Sequence, residues 1–455
     1  MVPVLSSQDA LKLAQEILGF SSVEMVSVTI DHTAIGMSRI ARNRVRMQDD
    51  GDEMIIGVTT RAAGRAEVSL TLDQLDPKTL RRAVHYLDRL AMEQAGTSAP
   101  LSALIHDRRY LPNTVWSNQT GDAMADARAR VLAPLVTPML DAGFQTSAYV
   151  GTYAHTFAHV TTQGISVAGE ETDAEIGVTG WTSGHGAGWA GQAARDWGVL
   201  TPDAIAEHAV TMARRATNPV AVEPGRRVVI LDRGAVAPLI QRMGSSFDAA
   251  ATFAGATPLY NPTTRAPRLG EPIIDSRVTL SSDPNDREGG FLPFNRDGFP
   301  LRPATWIDRG TLATLAYDVD FAASVGYTPA NDWPRALRMT GGPTSVDEMI
   351  ASCRDGLYVN RLAFVESADA GTGMLTGVTS GGCYLIRQGR IEKAVKNLRF
   401  LVSPWFLLTQ LEAIGPSGRA ALGYSPSAGT WPIPPIVVPA LMVRDFNFVS
   451  LADNI

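Results

Sequence analysis

The sequence predicts an α+β protein, in which an N-terminal domain of antiparallel sheet with helices precedes a C-terminal β-rich, barrel-like domain. The chain has 455 residues and is 45% apolar, whereas single cores stop growing near about 250 to 300 residues. Capped helices and alternating strand patterns fill the first half, and short strands with Gly and Pro throughout fill the second. The polar, proline-punctuated segment 218–227 predicts a boundary near residue 220, which gives domains 1–220 and 221–455.

The first predicted elements are a helix over about residues 7–18 and an antiparallel meander. Ser6-x-x-Asp9 has the spacing of a capping box and precedes apolar residues at helical intervals. Four strand-like runs follow, near residues 26–30, 34–40, 43–48 and 53–60. The acidic stretch 49–52 around Gly51 predicts a turn between the last two runs.

A second helix is predicted to begin at Pro77, with Asp76 as its N-cap, and to end near Gly96. Residues 122–142 also have a helical pattern, but they contain two prolines, each of which removes a backbone donor. The pattern therefore leaves open either one helix or two shorter ones.

More antiparallel sheet is predicted from residue 146, where Thr, Val, Tyr and Ile dominate and the Gln-Gly pair at 163–164 favours a turn. A further helix starts near Thr201. The second half opens with VVILD, which is typical of a buried strand, and has helix starts at Ser345 and Ser403.

Composition excludes several classes of partner. The formal net charge is −6 and no run of five or six like charges occurs, so the sequence predicts neither nucleic-acid nor membrane binding. The first residues lack a cationic and apolar leader, and the longest apolar stretches are short and broken by proline. Only two cysteines are present, which excludes a disulfide framework and fits a reducing compartment. We therefore expect a cytoplasmic protein.

Two short motifs suggest ligand binding but lack the right context. Gly186-x-Gly188-x-x-Gly191 matches the dinucleotide fingerprint, yet no βαβ unit surrounds it, which favours a flexible Gly and Trp loop. His155 and His159 would share one face of a helix at zinc-ligand spacing. Their neighbours are strand formers, however, and residues four apart in a strand lie about 13 Å apart. Half-buried strand histidines are therefore the favoured interpretation, with a metal pair as the alternative.

The remaining reactive side chains have plain structural explanations. Cys353 and Cys383 lie among apolar residues, which favours buried thiols over nucleophiles. His208 is expected to pack on its helix. A calcium site is conceivable in the acidic segments, but their spacing misses the EF-hand pattern and favours hydrated turns; the oxygen-bearing residues are Asp283, Asn285, Asp286, Glu288, Asn295 and Asp297.

The order of segments along nearly the whole chain resembles the TldD/PmbA family, long labelled modulators of DNA gyrase. In the N-terminal half the resemblance covers VEMVSVTIDHTAIGMSRIARNRVRMQDDGDEMIIGVTTR and the helix after it. The C-terminal half is more distinctive, with FNRDGFPLRPATWIDRGTLATLAYDVDFAASVG, PTSVDEMIASCRDGLYV, TGMLTGVTSGGCYLIRQGRIEKAVKNLRF and PALMVRDFNFVS. Because none of these is a short catalytic signature, the resemblance rests on order and spacing.

The resemblance also implies what this chain lacks. The metal-bearing subunit of the family places H-E-x-x-x-H on a helix after a strand similar to VVILD, with a cysteine ligand near the C-terminus. A gap-free alignment puts Ile240 and Ser245 at the histidine positions and Gln241 at the glutamate. No cysteine follows Cys383. The chain therefore looks like the metal-less PmbA/TldE-like branch, with 221–455 as a degenerate protease domain and without a metal of its own.

Three functions remain open at this stage. By resemblance, the chain is a non-catalytic subunit of a TldD/TldE-like metalloprotease that acts on unfolded or small peptides, paired as a dimer with a metal-bearing homologue or with itself. Zinc or iron is then expected only in a catalytic partner. Alternatively, it is a stand-alone, metal-independent enzyme of specialised natural-product metabolism that has recruited polar residues such as Gln241, His155 and His159. A purely binding or scaffolding role is the third.

Overall fold

The computed structural model describes residues 3–63, 65–73, 76–94, 109–182, 186–327, 333–423 and 434–452. An antiparallel sheet occupies the N-terminal half and a closed five-stranded barrel lies in the C-terminal half. The predicted α+β class is therefore confirmed. No helix within these ranges combines the length and the apolar character needed to cross a membrane.

The N-terminal half forms one six-stranded antiparallel sheet with the strand order β3-β2-β1-β4-β5-β6. Its strands are β1 (Met25–Ala41), β2 (Arg44–Arg61), β3 (Val68–Leu72), β4 (Gln145–Thr161), β5 (Ser166–Trp181) and β6 (Ala187–Ala194). Its helices are α1 (Ser7–Leu18), α2 (Pro77–Glu93), α3 (Asn118–Gly121), α4 (Ala125–Asp141) and α5 (Pro202–Arg215).

The predicted meander of four short strands is wrong, because two long strands form a single hairpin. The turn lies at Arg42 and Asn43, whose φ angles of 51° and 60° are those of a two-residue hairpin turn. Gly51 continues β2 opposite Ile35, so no turn forms around it. Near Gly51, Asp49 and Glu53 are exposed within the strand, whereas Asp50 pairs with Arg128 and Asp52 with His32.

The first two helices begin at the predicted N-cap residues. The Ser6 hydroxyl accepts from the Asp9 amide at the start of α1, and Asp76 accepts from the Thr79 amide at the start of α2. The helix α2 ends at Glu93, and the predicted end near Gly96 lies outside the described residues. Residues 125–141 form one helix despite its two prolines.

The C-terminal half contains short helices and many strands. The helices are α6 (Arg233–Met243), α7 (Ala249–Phe253), α8 (Val319–Val325), α9 (Val346–Ser352) and α10 (Pro404–Leu407). The strands are β7 (Gly225–Leu231), β8 (Tyr260–Asn261), β9 (Ala266–Pro267), β10 (Leu280–Ser282), β11 (Ala304–Asp308), β12 (Thr311–Leu312), β13 (Arg338–Met339), β14 (Asp355–Asp369), β15 (Met374–Arg387), β16 (Arg390–Ala394), β17 (Leu398–Val402), β18 (Leu411–Ile414), β19 (Gly418–Arg419), β20 (Val437–Val438) and β21 (Leu441–Leu451).

The barrel closes because β15 pairs with β14, which completes the ring β14-β7-β21-β17-β15. The strands β7 and β14 are parallel, and α6, which follows β7, packs against β14. A second sheet has the order β12-β11-β10-β13-β20-β19. The predicted strand VVILD is β7, and the capping box predicted at Ser345 forms with Glu348. The division into domains at residue 220 stays a prediction.

Candidate functional site

The strand β4 lies in the middle of the N-terminal sheet, paired with β1 and β5. Successive side chains of a strand point to opposite faces. Ala158 and Val160 therefore pack in the core that α1 covers. Tyr153, His155, Phe157 and His159 share the other face, where Phe157 joins a core with residues of the C-terminal half such as Phe294. The two histidines thus face the C-terminal half.

His155 lies between two carboxylates. Its Nδ1 is 3.0 Å from Oε1 of Glu171 on β5, and its Nε2 is 3.0 Å from Oδ1 of Asp31 on β1. Arg296 binds the other oxygen of Asp31 at 2.7 Å. Burial alone would lower the pKa of His155, but the hydrogen bonds and charges of the two carboxylates raise it to about 9. Against the opposing effect of burial, His155 in turn holds the pKa of Asp31 and of Glu171 below their usual ranges.

A histidine in this state cannot do what the zinc interpretation requires. The protonated ring donates through both nitrogens, so no lone pair is left for a metal or for accepting a proton at neutral pH. His159 is in the opposite state, because burial lowers its pKa to about 4 and its Nε2 bonds to the Ser27 hydroxyl at 2.8 Å. Among the described residues, no group of three or more His, Cys, Asp or Glu is placed to hold a metal.

Carboxylates on one face of β5 belong to this site and were missed by the sequence analysis. Glu171, Asp173 and Glu175 alternate along the strand and face the C-terminal half. Asp173 pairs with Arg419 of β19, and Glu175 accepts from the amide of Gly423 at 2.7 Å. Burial raises the pKa of the Glu175 carboxyl. The available signal was the alternation of three carboxylates within the stretch predicted as antiparallel sheet, because carboxylates on one face of a strand need partners if that face is buried.

The three positions aligned with the family's metal motif do not converge. Ile240 is 1% exposed in the main core of the C-terminal half. Gln241 is half-buried near the end of α6. Ser245 lies beyond that helix, is exposed, and donates to the carbonyl of Arg242 at 3.0 Å. Each of the three side chains therefore has a different environment.

One cavity of about 410 Å³ brings two of the predicted residues together. It lies between the face of β4 and β5 and segments of the C-terminal half, and both His155 and Gln241 line it. Glu171 and Arg195 also contribute to its wall. Ile240, Ser245 and His159 do not line this cavity.

The glycine motif is structural. Gly188 lies in β6, and a Cβ there would lie 2.1 Å from the backbone nitrogen of Ala213 in α5. The glycine thus lets helix and strand approach closely, instead of cradling a pyrophosphate. The expected flexible loop is in part a strand, and residues 183–185 of that segment lie outside the described residues.

The remaining candidates also have structural environments. Both cysteines are free and buried, and burial raises the pKa of the Cys383 thiol to about 12. His208 is exposed on α5, so the packing predicted for it is wrong. In the acidic segment, Asp286 and Glu288 both pair with Arg338, so these two carboxylates are ion-paired as well as placed in a turn.

Comparisons of the sequence and of the structure with known proteins point to the same family. Residues 224–450 match the family model of the PmbA/TldA metallopeptidase C-terminal domain. A protein described as a metalloprotease from Archaeoglobus fulgidus is 26% identical over 211 residues, which cover 43% of this chain and 47% of that protein. A second, from Methanothermobacter thermautotrophicus, is 24% identical over 173 residues, which cover 36% and 38%. The chain thus spans less than half the length of these relatives.

Solved structures share the whole fold. A crystal structure described as a modulator of DNA gyrase from Bacteroides thetaiotaomicron aligns with a TM-score of 0.80 at 17% identity, over 98% of this chain and 100% of that one. TldE from Thermococcus kodakarensis aligns with a TM-score of 0.80 at 15% identity, over the same shares. At these identities the likeness concerns the fold alone.

Proposed function

Because the chain belongs to the PmbA/TldD metallopeptidase family, we propose that it is the non-catalytic, metal-less subunit of a TldD/TldE-like metalloprotease that acts on unfolded or small peptides. In this proposal residues 221–455 are a degenerate protease domain, and the dimer forms with a metal-bearing homologue or with a second copy. The protein works in the cytoplasm, in keeping with its two free, buried cysteines.

The observation that carries the proposal is the environment of the three aligned positions. A catalytic zinc site needs imidazole, thiolate or carboxylate ligands and a base for the bound water. Ile240 offers a hydrocarbon inside a core, and Ser245 offers an exposed hydroxyl that already bonds to its own helix end. The amide of Gln241 is not a base. These residues do not fit a zinc or iron ion, so in this proposal the metal belongs to the partner.

The peptide-holding part of the proposal rests on the cavity and on sheet edges. The cavity lies between the two halves of the chain and combines charged and apolar walls. Within the part of the chain that the structure describes, the edge strand β3 pairs with β2 alone. An extended peptide added to such an edge is held by main-chain hydrogen bonds with little sequence preference.

The test compares the purified chain alone with the chain mixed with a homologue that carries an intact H-E-x-x-x-H. We expect no stoichiometric zinc and no hydrolysis of an unstructured, fluorescence-quenched peptide by the chain alone, and faster hydrolysis in the mixture than by the homologue alone. The matched control is a homologue whose motif glutamate is changed to glutamine. Stoichiometric zinc in the lone chain would contradict the proposal.

A second candidate, a stand-alone metal-independent enzyme of natural-product metabolism, is favoured by one observation. The cavity brings His155, Glu171 and Gln241 to one place together with apolar walls. Turnover of a peptide by the lone chain in the presence of a chelator would select this candidate over the first.

A further inference from the structure

The cavity next to Gln241 carries an excess of positive charge. Among the described residues that line it, the cations are His155, Arg195, Arg296 and Arg335, and the carboxylates are Glu171 and Asp173. Asp31, just behind this wall, pairs with His155 and Arg296, so three carboxylates stand against four cations. The whole chain, by contrast, has a net charge of −6. A concentration of cations at one site of an acidic chain attracts anions.

The carboxylates of this site are already engaged. Glu171 holds His155, and Asp173 holds Arg419, which lies outside the cavity wall. Arg195 donates to the carbonyl oxygens of Val115, Thr172 and Gly290, at 3.0, 2.6 and 2.6 Å, and forms no ion pair within the described part of the chain. These carbonyls fix the guanidinium in place but do not neutralise its charge. The cavity therefore keeps a cation that is oriented before any ligand arrives.

The position of Gln241 strengthens this preference. Gln241 lines the cavity, and a carboxylate at this point would repel an anion there. The amide of Gln241 carries no charge and has two N–H donors. At this point the wall can therefore donate a hydrogen bond to a carboxylate instead of repelling it.

Another part of the cavity wall is apolar. It includes Phe291, Leu292, Phe294, Leu337 and Ile436 from the C-terminal half. A volume of about 410 Å³ lies near the lower end of ligand pockets, which hold about 300 to 1,000 Å³. Its occupant is therefore small, with an apolar part and an anionic part.

We propose that this cavity binds the C-terminal residue of a peptide, with the carboxylate on the cationic wall near Arg195 and an apolar side chain against Phe291 and Leu337. The inference rests on the proposed peptide-holding function and names the part of the peptide that is recognised. It predicts a preference for free, apolar C-termini that main-chain pairing along a strand does not supply.

The experiment measures binding to the purified full chain by calorimetry, with one unstructured peptide ending in phenylalanine in two forms, a free carboxylate and an amide. A third peptide ends in serine, and N-acetylphenylalanine tests whether the terminal residue alone suffices. We expect the amide to bind about tenfold or more weakly, because a charge-assisted hydrogen bond is lost. The serine peptide is also expected to bind more weakly, because the apolar wall stays unfilled.

Variants at one position separate charge from shape. Gln241→Glu is expected to weaken binding of the carboxylate peptide about tenfold and to leave binding of the amide peptide unchanged. Gln241→Met removes only a hydrogen bond and should reduce the preference for the carboxylate less than Gln241→Glu does. A second pair of variants uses two exposed arginines that each lie beside an aspartate. R296Q, in the cavity wall, should weaken binding of the carboxylate peptide, whereas R309Q, away from the cavity, should leave that binding unchanged. This pair keeps the test valid should Gln241→Glu fail to fold.

The outcomes distinguish the two proposals. Equal affinity for the carboxylate and the amide peptide overturns the inference but leaves general peptide holding intact. Absence of any peptide binding, together with no gain in hydrolysis with the homologue, overturns both. Tight binding of N-acetylphenylalanine supports recognition of the terminal residue itself.

Discussion

The charge state of His155 makes a measurable contribution to stability. The ring is buried between Asp31 and Glu171, and its pKa is raised from 6.5 to about 9. At 1.36 kcal/mol per pH unit, this difference corresponds to roughly 3 kcal/mol. Removal of one partner of a buried ion pair costs about 3 to 5 kcal/mol, which is the same size. The substitution His155→Gln removes the titrating group while keeping a polar side chain of similar reach.

The direction of the pH dependence follows from the raised pKa. Below the unfolded value near 6.5 the folded and unfolded chains both carry the proton, so the contribution of His155 is fully present. Between 6.5 and about 9 only the folded chain keeps the proton, and the contribution falls as the pH rises. Above that range the neutral ring has no charge to offer the two carboxylates.

The assay is urea unfolding followed by circular dichroism, from about pH 6 to about pH 9.5, for the wild type, H155Q and H85Q. His85 is exposed on α2 and serves as the matched control. The free energy of unfolding of the wild type should exceed that of H155Q by roughly 3 kcal/mol at the acidic end, and the difference should shrink toward zero at the alkaline end. A difference that does not change with pH would refute the assignment of His155 as a buried cation.

Three further predictions rest on other buried groups. His159, whose pKa is lowered to about 4, contributes stability above pH 6.5 that is lost as the pH falls through 4. The variant H159Q should therefore lose less stability than the wild type on acidification, which an acid titration followed by fluorescence measures. R419M leaves Asp173 buried without its cation and should lower the free energy of unfolding by about 3 to 5 kcal/mol, whereas D173N/R419M should recover part of that loss in urea. Cys353 and Cys383 are buried with raised thiol pKa values, so a thiol reagent should label neither in the native protein and both in denaturant.

Local signals predicted the helices well. Ser6, Asp76 and Ser345 each cap a helix start in the structure, because a side-chain oxygen at an N-cap satisfies a backbone donor irrespective of the rest of the fold. The hairpin of β1 and β2 was not predicted, because Gly51 and its acidic neighbours favour a turn only when no partner strand is present. Pairing with β1 along its whole length keeps this segment extended. Pairing with a partner strand, and not local propensity, thus determines that this segment is a strand instead of a turn.

The sequence identified single residues of the candidate site but did not predict that they lie together. Sequence reasoning named His155 and Gln241 for unrelated reasons, and only the packing of the two halves brings them to one cavity. It also missed Asp31 and Glu171, which set the charge of His155, because their partners are remote in the chain. Arg195 could not be singled out at all, since its role depends on three carbonyl groups from separate segments.

Shifted pKa values alone would misidentify the functional part of this site. His155 and the carboxylates of β5 have the burial and strong coupling that mark catalytic groups in many enzymes, yet each of them already holds a structural partner. What those partners leave available is an oriented guanidinium at Arg195, an uncharged amide at Gln241 and an apolar wall. Such a set can bind an apolar carboxylate but cannot activate water, because no group in it accepts a proton at neutral pH. Recognition without catalysis is what the proposed role as a metal-less partner of a peptidase requires, so the chemistry of the cavity supports that proposal.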